Sequence, residues 1–137
     1  MNENEKWHNL NIRIYYSDTD CGKVVYYANY LKYFEAGRTE MLRFNGIELE
    51  EFHSQGIIFV VVNVDIHYKA PARYNDLILI KSRLFEYSKK TFVIENNIYN
   101  EAGILLVTGL TKCACVNEQG KLISIPEKII EVFKKFN

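Results

Sequence analysis

Two aspartates in a short polar segment, Asp18 and Asp20, are the residues of this sequence best suited to acid–base chemistry. A strand-like run (residues 11–16) precedes them, and a segment with helical periodicity begins near Tyr26 or Tyr27. We therefore expect the pair on a tight loop facing a helix N-terminus, where free backbone N–H groups and the helix dipole favour negative charge. A carboxylate beside fixed N–H donors is the arrangement needed to activate a carbonyl group and stabilise the oxyanion that forms.

The two aspartates are expected to play different parts. Asp20 is interpreted as the reactive carboxylate, and Asp18 as a residue that braces or caps the loop. Asn29 can orient the loop or a water molecule, with helix capping or packing as an equal alternative. Glu35 and Arg38 are three residues apart on the predicted helix, and we interpret them as an ordinary surface or interface ion pair.

Other polar clusters give weaker signals for chemistry. Asn63, Asp65 and His67 share one face of a predicted strand, but no Ser or Cys lies nearby in the sequence to complete a triad. A polar solvent or interface face is the simpler interpretation. His8 and His53 are isolated, which gives no support for a metal site.

Length and composition indicate a single folded domain over residues 1–137. The chain is 48% hydrophobic and 14% aromatic, which argues against disorder. Lys plus Arg and Asp plus Glu are equal at 17 each, which argues against nucleic acid as the main partner but leaves room for a local basic patch. No segment approaches the roughly 18 apolar residues of a membrane span.

The cysteines and the start of the chain bear on the cellular compartment, and both favour the cytoplasm. Three cysteines give no disulfide framework, and Cys113 and Cys115 share a strand face as expected for small core residues. The first eight residues are polar and acidic, unlike a signal peptide.

The first half of the chain is predicted to hold one strand (8–16), a loop (17–25), a long helix (26–44) and a short extra turn (48–54). Gly37 inside the helix should cost about 1 kcal/mol relative to Ala, so it is expected to permit close contact with a sheet. The apolar helix positions are Tyr27, Tyr30, Leu31, Phe34, Met41 and Phe44.

The second half is predicted to hold four antiparallel strands and a short C-terminal helix: 57–69, 77–85, 91–99, 104–116 and 126–136. The fold class is therefore α+β. One helix covers only one face of a five-stranded sheet, yet the runs 77–80 and 104–107 are apolar on both faces. The other face must be covered, so we predict a homo-oligomer.

A series of short motifs completes the picture. Those in the first third of the chain are Arg13-Ile14, Asp18-Thr19-Asp20, Val24-Val25-Tyr26, Ala28-Asn29-Tyr30 and Phe34-Glu35; later ones are Gly37-Arg38-Thr39-Glu40, residues 68–76 and Ile125-Pro126. With these motifs nearly the whole chain resembles the hotdog-fold acyl-CoA thioesterases, in the branch of 4-hydroxybenzoyl-CoA thioesterase and the Tol-Pal-associated thioesterase.

The resemblance implies a five-stranded antiparallel sheet wrapped around one long central helix, with a short C-terminal helix. It implies subunits paired into one continuous sheet, dimers that join into tetramers, and an acyl-CoA tunnel at the dimer interface. The implied activity is hydrolysis of a small or fatty acyl-CoA to free acid and coenzyme A, without a metal or redox cofactor.

The resemblance also assigns residues. The family's catalytic aspartate corresponds to Asp20, and its oxyanion donor to the backbone N–H of Tyr27. The expected substrate-binding residues are the tunnel-wall residues Val25, Tyr26 and Tyr30, and the basic residues for the phosphates of coenzyme A, Lys69, Arg73 and Lys89.

Two positions depart from the family pattern. Lys23 stands where the family usually has Gly, and Gly22 beside it can absorb the backbone demand. Tyr27 stands where many relatives have His, although the 4-hydroxybenzoyl branch resembles this chain there. The backbone N–H is present in either case.

Several alternatives stay open at this point. Asp20 can act as a general base on water or as a nucleophile that forms a mixed anhydride. A hotdog hydratase, a non-catalytic module that binds acyl-CoA or acyl carrier protein, and a scaffold for envelope or lipid-synthesis partners are the rival functions. The sequence does not distinguish aliphatic from aromatic acyl groups.

Overall fold

The computed structural model describes residues 6–136. The prediction that the chain does not begin with a signal peptide falls largely on residues 1–5, outside that range. The elements are β1 (His8–Arg13), a 3-10 turn (Tyr16–Asp18), β2 (Thr19–Asp20), β3 (Val24–Val25), α1 (Asn29–Phe44), α2 (Leu49–His53), β4 (Ile58–Tyr68), β5 (Leu77–Tyr87), β6 (Thr91–Tyr99), β7 (Leu105–Val116) and α3 (Glu127–Lys134).

Five long strands form one antiparallel sheet in the order β1-β5-β6-β7-β4. The predicted α+β fold with one long helix and a short C-terminal helix is thereby confirmed. The first strand is shorter than predicted, because the N–H of Ile14 bonds to the carbonyl of Asp76 at 2.8 Å and the chain then turns away at Tyr16. The predicted loop 17–25 also contains the small β2–β3 hairpin, which the sequence analysis missed.

Helix α1 covers the inner face of the sheet with a stripe of buried residues: Tyr30, Tyr33, Phe34, Gly37, Met41 and Leu42. The predicted apolar face was partly wrong, since Tyr27, Leu31 and Phe44 are exposed. The reason is the phase of the helix. It begins at Asn29, so Tyr27 precedes it, and Tyr33 and Leu42 complete the stripe that meets the sheet.

Two glycines set how closely α1 approaches the sheet. A Cβ at Gly37 would lie 2.5 Å from Ser82 Oγ and 2.7 Å from Ile80 Cγ2, so the helix backbone rests directly on β5. From the sheet side, a Cβ at Gly109 would overlap the ring of Phe34. The predicted role of Gly37 in close contact with a sheet is confirmed.

A second part of the core fills the other end of the inner face. Phe133 of α3 packs against Phe92 with ring centroids 5.3 Å apart, and Phe52 of α2 joins the same cluster. Cys113 and Cys115 are buried there, as predicted for small core residues.

The outer face of the sheet is mostly polar. Arg83 bonds to Glu95 at 2.8 Å, and its guanidinium lies 4.4 Å from the centroid of the Trp7 ring. An apolar strip nevertheless interrupts this face at Leu77, Leu79 and Tyr99, which line a shallow groove of about 480 Å³.

The edge strand β4 exposes three consecutive valines, Val60 to Val62, at 37%, 47% and 54%. It pairs with β7 on one side, and a bulge interrupts that pairing between Val61 and Asn63. Its other side has no strand beside it in the described chain. In residues 6–136, no helix has both the length and the apolar character that a bilayer crossing requires.

The close contact at Gly37 leads to a stability prediction. Gly37→Ala should lower the free energy of unfolding by roughly 1–3 kcal/mol, because the added methyl pushes α1 away from Ser82 and Ile80. Urea unfolding followed by circular dichroism measures the change. Ala36→Gly, one position earlier in the same helix, calibrates the propensity difference of about 1 kcal/mol. A stabilised Gly37→Ala protein would contradict the contact.

Candidate active site

Asp20 lies at the tip of the β2–β3 hairpin, on the exposed side of the molecule. The turn that follows takes positive φ at both Cys21 (54°) and Gly22 (75°), and the N–H of Lys23 donates to the carbonyl of Asp20 at 3.3 Å. A side chain at Gly22 would meet the ring of Tyr16 at 2.8 Å. Gly22 therefore provides the left-handed backbone that the turn requires. Lys23 does not have to adopt that conformation, so the turn forms without a glycine at position 23.

Asp18 joins this hairpin to the start of the helix. Its carboxylate accepts a hydrogen bond from the N–H of Tyr15 at 2.9 Å, which confirms its predicted bracing role. Its carbonyl accepts two more, from the N–H of Tyr26 at 3.1 Å and from Asn29 Nδ2 at 2.8 Å. Asn29 thus orients the loop, one of the two parts considered for it.

The start of α1 leaves backbone donors available beside the hairpin. The N–H groups of Asn29 and Tyr30 bond to the carbonyls of Tyr26 and Tyr27 at 2.9 and 3.4 Å. Those of Tyr27 and Ala28 have no acceptor among residues 6–136. Unpaired N–H groups at a helix N-terminus, reinforced by the helix dipole, are suited to bind an oxyanion.

A groove of about 330 Å³ opens beside these donors, and we call it the helix-start groove. Its walls are mainly aromatic and aliphatic, with one cation: Val25, Tyr27, Tyr30, Tyr68, Lys69, Ala70 and Pro71. Three of the predicted substrate residues, Val25, Tyr30 and Lys69, therefore come together here with Tyr27. Asp20 does not line the groove itself but stands on the neighbouring turn.

Tyr30 is a rigid part of the wall. It is only 3% exposed, and its hydroxyl accepts a hydrogen bond from the N–H of Ala72 at 3.0 Å. Burial raises the pKa of Tyr30 above its ordinary value, so the hydroxyl stays protonated. Its ring meets that of Tyr68 at 5.6 Å, and the hydroxyl of Tyr68 donates to the carbonyl of Tyr27 at 3.3 Å.

Tyr26 lies between the hairpin and the groove. Its ring is 4.8 Å from that of Tyr27, centroid to centroid. A hydrogen bond with the side chain of Tyr27 raises the pKa of Tyr26, and the nearby charge of Asp20 adds a smaller effect in the same direction. The predicted substrate residue Tyr26 is therefore close to the carboxylate.

Of the predicted phosphate-binding residues, Arg73 also reaches this end of the molecule. The segment that carries it runs alongside β3, with the N–H of Val25 bonded to the carbonyl of Ala72 at 2.9 Å and an isolated bridge between Val24 and Arg73. Lys89 does not. It follows β5, a strand of 11 residues and roughly 36 Å, and lies at the opposite end of the sheet in the same protomer.

The sequence analysis missed Tyr68 as a groove residue. The signal was present, because an aromatic residue at the end of an alternating strand just before Pro71 marks a strand end where a side chain can turn toward a ligand. What could not be read was that this end of β4 meets the start of α1.

The other polar clusters stay apart from the hairpin. Asp65 and His67 are exposed on the outer face of β4, opposite Leu110 and Thr108 of β7, with Oδ1 of Asp65 2.9 Å from Nε2 of His67. This is the polar strand face that the sequence predicted. Within residues 6–136 no group of three or more His, Cys, Asp or Glu side chains is arranged to hold a metal ion.

Comparison with known proteins identifies the family of this chain. The family model described as the thioesterase-like superfamily matches residues 15–133. A relative from Escherichia coli O6:H1, the acyl-CoA thioester hydrolase YbgC, is 33% identical over 125 residues, which cover 90% of this chain and 93% of YbgC.

Solved structures agree with the sequence match. A DHNA-CoA thioesterase from Staphylococcus aureus superposes with a TM-score of 0.90 at 28% identity, over 94% of this chain and 89% of that chain. A mutant 4-hydroxybenzoyl CoA thioesterase complexed with 4-hydroxybenzoyl CoA gives a TM-score of 0.83 at 20% identity, over 93% and 98% of the two chains, a likeness that supports the fold alone. The resemblance found in the sequence is confirmed, and the chain belongs to the thioesterase-like superfamily of hotdog-fold proteins.

Proposed function

We propose that this protein hydrolyses acyl-CoA thioesters to a free acid and coenzyme A. The observation that carries the proposal is the hairpin that holds the Asp20 carboxylate beside a helix start whose Tyr27 and Ala28 N–H groups are unpaired in the described chain. Membership in the thioesterase-like superfamily and the acyl-CoA thioester hydrolase activity named for YbgC support the same reaction.

The Tyr27 N–H is the proposed donor to the carbonyl oxygen of the thioester. It strengthens as a hydrogen bond when negative charge gathers on that oxygen, and one such donor contributes about 3 kcal/mol to the transition state. The positive end of the helix dipole favours negative charge at the same place, so it adds to the stabilisation of the developing oxyanion. Because the donor is already in position, the protein does not have to move.

Asp20 supplies the second half of the reaction by one of two routes. As a general base it takes a proton from water, the hydroxide attacks the carbonyl carbon, and the intermediate expels the thiolate of coenzyme A. As a nucleophile its carboxylate attacks the carbon directly, the thiolate leaves, and water then hydrolyses the mixed anhydride. Both routes need the ionised carboxylate, so acid that protonates Asp20 stops the reaction.

The helix-start groove is proposed to hold the thioester end of the substrate. Val25 and the ring of Tyr30 form its fixed floor, and the more exposed Tyr27 and Tyr68 form its adaptable side. Tyr26 lies next to Tyr27 outside the lining and is proposed to contact the substrate from there. Such walls accept a flat ring through edge contacts or an alkyl chain through burial. The name of the staphylococcal DHNA-CoA thioesterase makes aromatic acyl groups an appropriate part of a substrate panel.

The phosphates of coenzyme A are proposed to contact Lys69 and Arg73. Lys69 lines the helix-start groove, and Arg73 lies beside Val24 of the hairpin. Lys89 is too distant in one protomer, so its proposed part depends on a second copy of the chain. Acyl carrier protein remains a possible donor of the acyl group in place of coenzyme A.

We propose that the chain, as one catalytic domain, works as a homo-oligomer. The unpaired edge of β4 with its exposed valines supports a dimer in which two such edges join into a continuous sheet. The apolar strip at Leu77, Leu79 and Tyr99 supports a further contact between dimers, which makes a tetramer. All three cysteines are free thiols, which is consistent with a reducing cytoplasm.

Replacing the carboxylate tests the catalytic assignment. Asp20→Asn should lower kcat by at least about a hundredfold, because the amide neither accepts a proton from water nor attacks carbon. Thiol release from short, long and aromatic acyl-CoAs, followed with a thiol-reactive dye, measures the loss. Asp18→Asn is the matched control, since its remaining oxygen can still accept from the N–H of Tyr15. Full turnover by a folded, oligomeric Asp20→Asn protein would contradict the assignment.

Neutralising the basic residues tests the phosphate contacts. Arg73→Gln or Lys69→Gln should raise KM for acyl-CoA roughly two- to fivefold at low ionic strength, which matches an exposed charge pair worth less than about 1 kcal/mol. Added salt should reduce the difference between variant and wild type. Lys112→Gln on the outer face is the control, and an equal rise in KM for that variant would refute a specific contact.

A charge on the β4 edge tests the proposed dimer. Val60→Lys combined with Val62→Lys should shift the protein toward monomers in sedimentation velocity experiments, because a lysine on an edge strand opposes pairing with another edge. Val60→Thr with Val62→Thr keeps strand propensity without charge and serves as the control. An unchanged sedimentation coefficient in the lysine variant would place the subunit contact elsewhere.

A further inference from the structure

A second groove, of about 390 Å³, lies between α1 and β4, and we call it the distal groove. It is lined by Leu31, Lys32, Phe34, Glu35, Arg38, Val61, Val64 and Thr111. The same two elements line both grooves. On α1 the distance from Tyr30 to Arg38 is about 12 Å along the axis, and on β4 the distance from Tyr68 to Val64 is about 13 Å. The distal groove thus continues the line of the helix-start groove along the helix.

Arg38 lines this groove without forming an ion pair there. The ion pair with Glu35 that the sequence suggested is absent, and Arg38 makes no hydrogen bond or ion pair with any residue in 6–136. It is nevertheless half-buried. It lines the groove together with Thr111 of β7. Burial raises the pKa of the Cys113 thiol on the same strand, and the positive charge of Arg38 opposes that rise.

Thr111 lines the same groove and carries a buried hydroxyl. It is 1% exposed, it lines the distal groove, and its hydroxyl has no hydrogen-bond partner among the described residues. Thr111 lies on β7 two residues before Cys113, opposite Val64 of the edge strand. A buried hydroxyl without a partner is unfavourable, so the site is completed when something brings an acceptor to it.

The remaining charges of the lining leave an excess of positive charge. Lys32 and Glu35, both exposed, are the other ionisable residues there. With Arg38 the lining carries two cations and one anion. An oxygen anion that enters this groove therefore meets a guanidinium, a free hydroxyl donor and a second cation at the rim.

We propose that the distal groove binds the far end of the acyl group and selects acyl chains that end in a carboxylate. The proposal rests on the thioesterase function, since it assumes that the thioester lies in the helix-start groove. The chain follows α1 between Leu31 and Val64. The terminal carboxylate accepts hydrogen bonds from Arg38 and from the hydroxyl of Thr111.

Matched substrates test this directly. Hexanoyl-, octanoyl- and decanoyl-CoA are compared with adipoyl-, suberoyl- and sebacoyl-CoA, which have the same chain lengths and a terminal carboxylate. For the chain length that fits the groove, wild type should favour the carboxylated substrate at least tenfold in kcat/KM. Arg38→Met should reduce that ratio at least tenfold, and Thr111→Val should reduce it by a smaller factor. Arg38→Lys should recover part of the preference, and Lys112→Met on the outer face of β7 is the control.

A binding measurement keeps this proposal separate from the proposed hydrolysis. Calorimetric titration of the Asp20→Asn protein with the best pair should show the same preference for the carboxylated ligand, and Arg38→Met in that background should abolish it. Lack of turnover on every substrate would contradict the proposed thioesterase activity. The titration would still decide whether the distal groove prefers a terminal carboxylate. Equal binding of the pair would overturn the proposal. A loss in Arg38→Met that is equal for both ligands and accompanied by subunit dissociation would overturn it too, because Arg38 would then be an interface residue.

Discussion

The close approach of α1 to the sheet is the constraint on which the rest of the structure depends. Gly37 brings the helix backbone down onto β5, and Gly109 lets the ring of Phe34 sink into the sheet. With the axis fixed at this height, the helix start lies level with the β2–β3 hairpin. The space left along the other side of the helix, against the free edge strand, becomes the two grooves. If an added methyl group pushed the helix away from the sheet, the helix start would no longer lie level with the hairpin, and the grooves beside the helix would be lost.

The site separates the reactive parts from the supporting ones. The Asp20 carboxylate and the N–H groups of Tyr27 and Ala28 have no hydrogen-bond partner in the described chain, whereas Asp18 and Asn29 beside them are hydrogen-bonded. The carbonyl of Asp18 takes two donors and so holds the hairpin against the helix. The proposed reactive groups can stay unpaired because the hydrogen bonds of their neighbours hold the loop in place, as is common in preorganised sites.

Much of the fold could be predicted from the sequence, because long elements carry strong periodic signals. The four later strands and α3 were located to within a few residues. The polar loop that was predicted to carry the chemistry lies directly before α1, as expected. The two-residue strands of the hairpin carry no periodicity, and only pairing with each other and with the segment after Ala70 creates them. The expected pair of Glu35 and Arg38 failed for a related reason. Sequence spacing permits a contact, but Arg38 lines the distal groove together with Thr111 of β7 and makes no ion pair with Glu35. Lys89 lies far from the hairpin because β5 is long. No local sequence pattern indicates which end of β5 lies near the hairpin.

The strand order also determines when the site can form during folding. β5, β6 and β7 are consecutive antiparallel neighbours joined by short turns, so they can associate by local contacts soon after collapse. β1 pairs with β5 across about half of the chain, with His8 beside Ser82, and closing that loop carries an entropic cost. The hairpin that carries Asp20 lies between β1 and α1 in the sequence. Its geometry is therefore completed by one of the last and most non-local steps, and a refolding chain gains its sheet before it gains its chemistry.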